Sequence, residues 1–178
     1  MSKRFIPLGL LFFALSFVVG SCIDAPDFDF TPEISNPTVN SYQTVDLLGN
    51  PNVDSVVLSI RFRDGDGDLG VAANERADTV EKYKEWGNYQ LTMLRRMPNG
   101  QFQEVPSLIN QRLFFFPLKS DNKAGPLEGT LDFSQAFFAT GFFEKAVVKF
   151  RIRIRDRALR VSNAVETDTL TINLPKPF

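Results

Sequence analysis

Asp64, Asp66 and Asp68 stand at alternate positions in the segment DGDGDLG (residues 64–70), separated by Gly65 and Gly67. Three carboxylates crowded onto one short loop repel one another unless a cation lies among them. Hard oxygen donors on a glycine-permitted turn are the ligands that Ca²⁺ takes. A fourth carboxylate, Asp156, opens the later polar turn DRALRVSN (residues 156–163). We expect Asp64, Asp66, Asp68 and Asp156 to bind Ca²⁺, with Asn163 and Glu75 as weaker candidate ligands. Extracellular sites of this kind bind weakly, with Kd on the order of 10⁻⁴–10⁻³ M. An EF-hand is excluded, because Leu69 stands where its sixth position needs glycine and a strand, not a helix, precedes the loop. The competing reading is a solvated acidic turn in which Asp and Gly serve only turn geometry.

Two strands lead into these carboxylates. Val56, Leu58, Ile60 and Phe62 alternate with Val57, Ser59, Arg61 and Arg63, the period of a strand with one buried face. Val148, Phe150, Ile152 and Ile154 alternate in the same way with Lys149, Arg151, Arg153 and Arg155. Elsewhere the chain predicts modest β character over 38–48, a turn at 49–52, and a loop with one or two helical turns over 71–85. Strands are expected over 86–97 and 101–105, joined by a hairpin turn at Asn99-Gly100. A further strand is expected over 111–118, with Pro117 near its end. A loop over 119–126, a strand over 127–133, an irregular apolar connection over 134–143 and a last strand over 166–174 complete the chain. This pattern predicts an all-β fold, an immunoglobulin-like β-sandwich of about seven or eight strands with a short helical turn in one loop. In that topology the acidic loop, the loop 119–126 and the turn 156–163 meet at one end.

Composition narrows the chemistry. At 178 residues and 43% hydrophobic content the chain supports one domain with a real core. Phenylalanine is abundant, 18 residues against one Trp and three Tyr, and is expected to fill a β-rich core. Phe137-Phe138 and Phe142-Phe143 are the candidates for an exposed patch. The absence of histidine excludes Ser-His nucleophiles and the usual zinc and iron ligand sets. A single cysteine excludes an intrachain disulfide, a zinc-thiolate cluster and a redox pair. A net charge of −1 gives no sign of nucleic-acid binding.

The N-terminus reads as an address. Lys3 and Arg4 precede an apolar run over residues 6–19, followed by the small pair Gly20-Ser21 and the lone Cys22. Val19-Gly20-Ser21-Cys22 resembles the lipobox of bacterial lipoproteins, which implies a signal peptide over 1–21 and an acylated Cys22 that anchors the chain to a bilayer. Residues 22–35, with Asp24, Asp27, Asp29, Glu33 and two prolines, are expected to form an acidic tether, and 36–178 the sandwich. Fully extended, residues 23–35 would span roughly 40–45 Å. The domain is similar to a family of uncharacterised lipoproteins of Bacteroidetes-type bacteria, through FRDGDGDLG (62–70), the segments at 89–91 and 99–102, PLEGTLDF (126–133) and IRDRALRVSN (154–163). That resemblance implies an envelope location, with an outer-membrane anchor, and carries no known activity. The family's pattern has Asn where this chain has Arg160.

The remaining functional candidates are fewer. Lys149, Arg151, Arg153 and Arg155, with Arg96 alongside, form a basic row that either meets an anionic glycan, a lipopolysaccharide phosphate or an acidic partner, or simply solvates a sheet face. Trp86 and Tyr83 are the aromatic residues placed to bind carbohydrate. Catalysis would rest on carboxylates alone, as in a two-carboxylate hydrolase, and no second acidic cluster or nucleophile turn accompanies the first. The expected function is an envelope-anchored, calcium-stabilised binding or assembly module, not an enzyme. Its partners would be the bilayer and an envelope protein complex or glycan; the alternatives are a carbohydrate-binding surface lipoprotein and a carboxylate-dependent hydrolase.

Overall fold

The computed structural model describes residues 26–49, 53–75, 82–83, 85–106, 112–121, 123–138 and 143–176. The expected signal peptide over 1–21, Cys22 and Phe142 lie outside the described residues. Eight strands follow one another: β1 (Glu33–Thr44), β2 (Val53–Asp64), β3 (Tyr89–Arg96), β4 (Phe102–Glu104), β5 (Leu127–Phe138), β6 (Phe143–Ile154), β7 (Val165–Glu166) and β8 (Leu170–Pro175). The loop after β2 carries a 3₁₀ turn, Ala73–Glu75, and helical backbone at Lys82. No helix among the described residues is long and apolar enough to cross a membrane.

The strands form two antiparallel sheets, one ordered β1-β2-β5 and the other β4-β3-β6-β7, with β8 also paired to β6. This is a β-sandwich, and its division of strands follows the ABE and CFG sheets of the immunoglobulin-like arrangement. The alternating rows explain the core. Val56, Leu58, Ile60 and Phe62 of β2 face Val148, Phe150, Ile152 and Ile154 of β6, and all eight side chains are buried. Aliphatic residues dominate this interior, contrary to the expectation from phenylalanine content. Phe62, Phe137 and Phe150 are buried, whereas Phe30, Phe116, Phe138 and Phe143 are exposed at the rim.

Three local expectations change. β1 begins at Glu33, ahead of the boundary expected at residue 36, and Ile34 is already buried. Asn36 takes a positive φ of 49° beside Pro37, and the register of β1 on β2 shifts there. An edge strand tolerates that bulge, because proline has no N–H to give to a ladder. Residues 134–138 extend β5 instead of forming an irregular connection, since β2 pairs with β5 along its whole length, from Val53 with Phe138 to Asp64 with Leu127. The expected strand at 111–118 reduces to one bridge between Tyr89 and Leu113. From there the chain turns to serve the acidic loop, with Val71 N–H donating to Phe115 O (3.0 Å) and Leu118 N–H to Leu69 O (3.3 Å). Asn88, fully buried, clasps both the N–H and the carbonyl of Phe115 through its amide.

Candidate metal centre

Strand periodicity delivers two of the four aspartates. Asp64 is the last residue of β2 and continues the inward row of Leu58, Ile60 and Phe62; Asp156 follows β6 and continues the row of Phe150, Ile152 and Ile154. Each carboxylate therefore occupies a position that the pleat assigns to the core, and both are fully buried. Asp66 and Asp68, half-buried, complete the group from the loop. Asp64, Asp66, Asp68 and Asp156 each present an oxygen within 4.8 Å of the others, a grouping that could hold a metal ion.

The loop is fixed by segments from all around it. Gly65 N–H donates to Asp29 O (2.9 Å), and the approach is so close that a Cβ on Gly65 would lie 2.3 Å from Phe28 O. Gly67 has a φ of +69°, the left-handed region that glycine enters freely, and a Cβ there would meet Gly125 O at 2.5 Å. Gly125 N–H donates to Asp66 O (3.0 Å), and Arg157 Nε donates to Asp68 O (3.0 Å). The loop 119–126 and the turn 156–163 thus meet the acidic loop, as the topology predicts. The N-terminal segment joins them unexpectedly. Residues 28–30 lie across the loop, with the Arg63 guanidinium over the Phe28 ring (5.5 Å) and that of Arg160 over the Phe30 ring (5.7 Å).

The hydrogen bonding leaves one oxygen of Asp64, Asp66 and Asp68 unused, whereas both oxygens of Asp156 accept. Asp64 Oδ2 accepts from Asp68 N–H (3.1 Å), Asp66 Oδ2 accepts from Arg160 Nη2, and Asp68 Oδ2 lies 3.7 Å from Arg160 Nη2. Asp156 accepts from the Arg160 backbone N–H (2.8 Å) and from its Nε (2.6 Å). The buried Oδ1 atoms of Asp64, Asp66 and Asp68 have no donor among the described residues. A buried acceptor without a partner costs about 1–3 kcal/mol, and more when charged. Three such oxygens beside one another are therefore unfavourable unless a cation or protons lie among them. Burial first, then the charges of Asp66, Asp68 and Asp156, push the Asp64 carboxyl up to about 7, against the Gly67 N–H that favours its ionised form. Asp68 is raised by burial and by Asp156 and Asp66, with Arg160 and Arg157 opposing.

Arg160 is the residue that sequence reasoning missed. Its guanidinium binds Asp66 and Asp156 and approaches Asp68, so one fixed charge partly offsets the four carboxylates. Leu159, with a φ of +69°, makes the turn that brings Arg160 back over Asp156. The weaker candidates have other tasks. Asn163 binds the backbone of Ile34 through both amide atoms (2.8 Å each) and pins β1 to the turn. Glu75 accepts from Ala72 N–H (3.1 Å) in its own 3₁₀ turn.

The other candidate surfaces are less open than expected. Tyr83 is buried, donates to Asp156 O (3.1 Å), and so supports the metal group instead of facing solvent. The guanidinium of Arg155 stacks on Tyr83 at 4.6 Å and on Trp86 at 4.0 Å, covering one face of the indole. Lys149 and Arg151 pair with Glu166, which their hydrogen bonds hold below the usual carboxylate range. Of the basic row, Arg153 remains the exposed member, and no ion pair involves it among the described residues. Comparison of the chain with protein-family models, with curated proteins and with solved structures gives no match.

Proposed function

We propose that this chain is an envelope lipoprotein, acylated at Cys22, whose β-sandwich carries a Ca²⁺ ion and works as a binding or assembly module without catalysis. The observation that carries the reading is the convergence of three donor-less, buried Oδ1 atoms with the carboxylate of Asp156. Ca²⁺ suits the group better than Mg²⁺. It accepts six to eight oxygens in irregular geometry, while Mg²⁺ demands a near-ideal octahedron and keeps its waters. The ion would tie together the acidic loop, the turn 156–163 and, through Gly65, the N-terminal segment.

The alternatives have less support. Carbohydrate recognition would use open aromatic faces, and Tyr83 is buried while Trp86 is covered by Arg155. Two-carboxylate hydrolysis works at separations of roughly 5–9.5 Å with room for sugar and water; four oxygens within 4.8 Å favour a cation. The test is thermal unfolding of the full chain in millimolar Ca²⁺, in millimolar Mg²⁺ and in chelator. A rise in Tm selective for Ca²⁺ and lost in Asp66→Ala is the expected result. Equal melting in all three buffers would return DGDGDLG to a solvated turn. Loss of acyl labelling in Cys22→Ser tests the anchor separately.

A further inference from the structure

Beside the carboxylates, on the open side of the group, lies a cleft of about 250 Å³ lined by Asp66, Asp68, Lys119, Lys123 and Arg157. The three cations there have no carboxylate partner within ion-pair distance among the described residues. Lys119 Nζ reaches only the carbonyl of Gly125, at 3.4 Å, and Arg157 donates to the carbonyl of Asp68. A site built for a bare cation gains nothing from three unpaired positive charges at its mouth, since each repels the incoming ion. The arrangement becomes favourable when an anion lies between the cation and the basic side chains.

We infer that the cleft is a phosphate subsite, in which a phosphate group completes the coordination of the Ca²⁺ and is held by Lys119, Lys123 and Arg157. This deepens the metal reading and rests on it. Four aspartates giving one oxygen each fall short of the six to eight oxygens that Ca²⁺ takes, and two of the four, Asp66 and Asp68, line this cleft. A phosphate supplies three or more acceptor oxygens, enough to bridge a metal and several cationic donors at once. A carboxylate has only two.

The experiment is a calorimetric Ca²⁺ titration of the full chain with and without glycerol 3-phosphate, a soluble phosphate monoester. By reciprocity, phosphate should tighten Ca²⁺ binding by about 5- to 150-fold, and chelator should weaken phosphate binding by the same factor. Lys119→Gln combined with Lys123→Gln should abolish that gain while binding Ca²⁺ alone at least as tightly as the parent chain, which also reports correct folding; Lys123→Gln, at an exposed position, should reduce it. Unchanged Ca²⁺ affinity with phosphate present overturns the subsite and leaves the metal centre standing, whereas absence of Ca²⁺ binding in every condition overturns both. An equal gain from acetate at matched ionic strength also overturns it. Phosphatidylglycerol vesicles then separate the sources: a headgroup gives calcium-dependent co-sedimentation above the chelator background that glycerol 3-phosphate competes away, and a soluble phosphate gives the same coupling without co-sedimentation.

Discussion

Strand β2 carries a buried aspartate at each end, Asp54 near its start and Asp64 at its finish, both on the row that faces the core. Asp54 Oδ2 accepts from the backbone N–H of Asn173 (2.7 Å) and from its side-chain amide (3.0 Å), so neutral donors on β8 satisfy it. Asp64 receives N–H groups on one oxygen and nothing on the other, with three more carboxylates beside it. The same residue type on the same row thus serves two purposes. At one end a carboxylate cross-links two sheets with partners supplied by the chain. At the other, one carboxylate oxygen has no hydrogen-bond partner among the described residues. Their surroundings differ accordingly: the Asp54 end is apolar and open, with Leu47, Leu48 and Phe138 exposed, while the Asp64 end is charged and bound by four converging segments.

Substitutions can break that contrast, and the largest effect is expected at Asp64. With free Ca²⁺ at 100 times Kd, binding should stabilise the chain by about 2.7 kcal/mol. Asp64→Asn should remove that increment entirely, as read by urea denaturation in Ca²⁺ and in chelator, whereas Asp54→Asn should leave it intact. If both lose it, the two ends are not independent. Next in size, Asp54→Ala should cost about 1–3 kcal/mol, because two donors of Asn173 lose their buried partner. That loss should be the same with Ca²⁺ and with chelator.

The comparison is also sharpened through pH. In chelator, folded Asp64 keeps its proton up to about 7, while the unfolded chain releases it near 3.8. The folded state therefore binds more protons across that window, and this carboxyl makes stability fall as pH rises from about 4 through 7. Saturating Ca²⁺ should displace the proton and flatten that slope. Denaturation midpoints at pH 5 and pH 8, each with Ca²⁺ and with chelator, measure it; an unchanged slope on adding Ca²⁺ would show that the ion does not bind at Asp64.

Much of this was open to reading from the chain alone. The alternation ending in Asp64 and Asp156 already placed two carboxylates on core-facing rows, and the order of strands brought their loops together. Arg160 was not legible as a partner, because nothing in DRALRVSN states that Leu159 takes a left-handed φ and folds the guanidinium back. The docking of residues 28–30 was hidden for a different reason. An acidic, proline-containing stretch has the composition of a free tether, yet Gly65 lacks the Cβ that would keep it away. The length of β5 depended on pairing with β2, a long-range property that local alternation does not carry.

The docked N-terminal segment also shortens the leash. With Phe28 onward resting against the sandwich, the path back to Cys22 spans at most about 20–22 Å, not the 40 Å or more of an undocked tether. On the proposed anchor, the charged end of the domain would be tethered within about two to three Debye lengths of the bilayer, one Debye length being about 8 Å at physiological ionic strength. An anionic leaflet near −30 mV enriches a divalent cation roughly tenfold at its surface. That enrichment falls off within a Debye length of the surface, so on this anchor the docking would keep the acidic group near the enriched layer and stop it from ranging far beyond it.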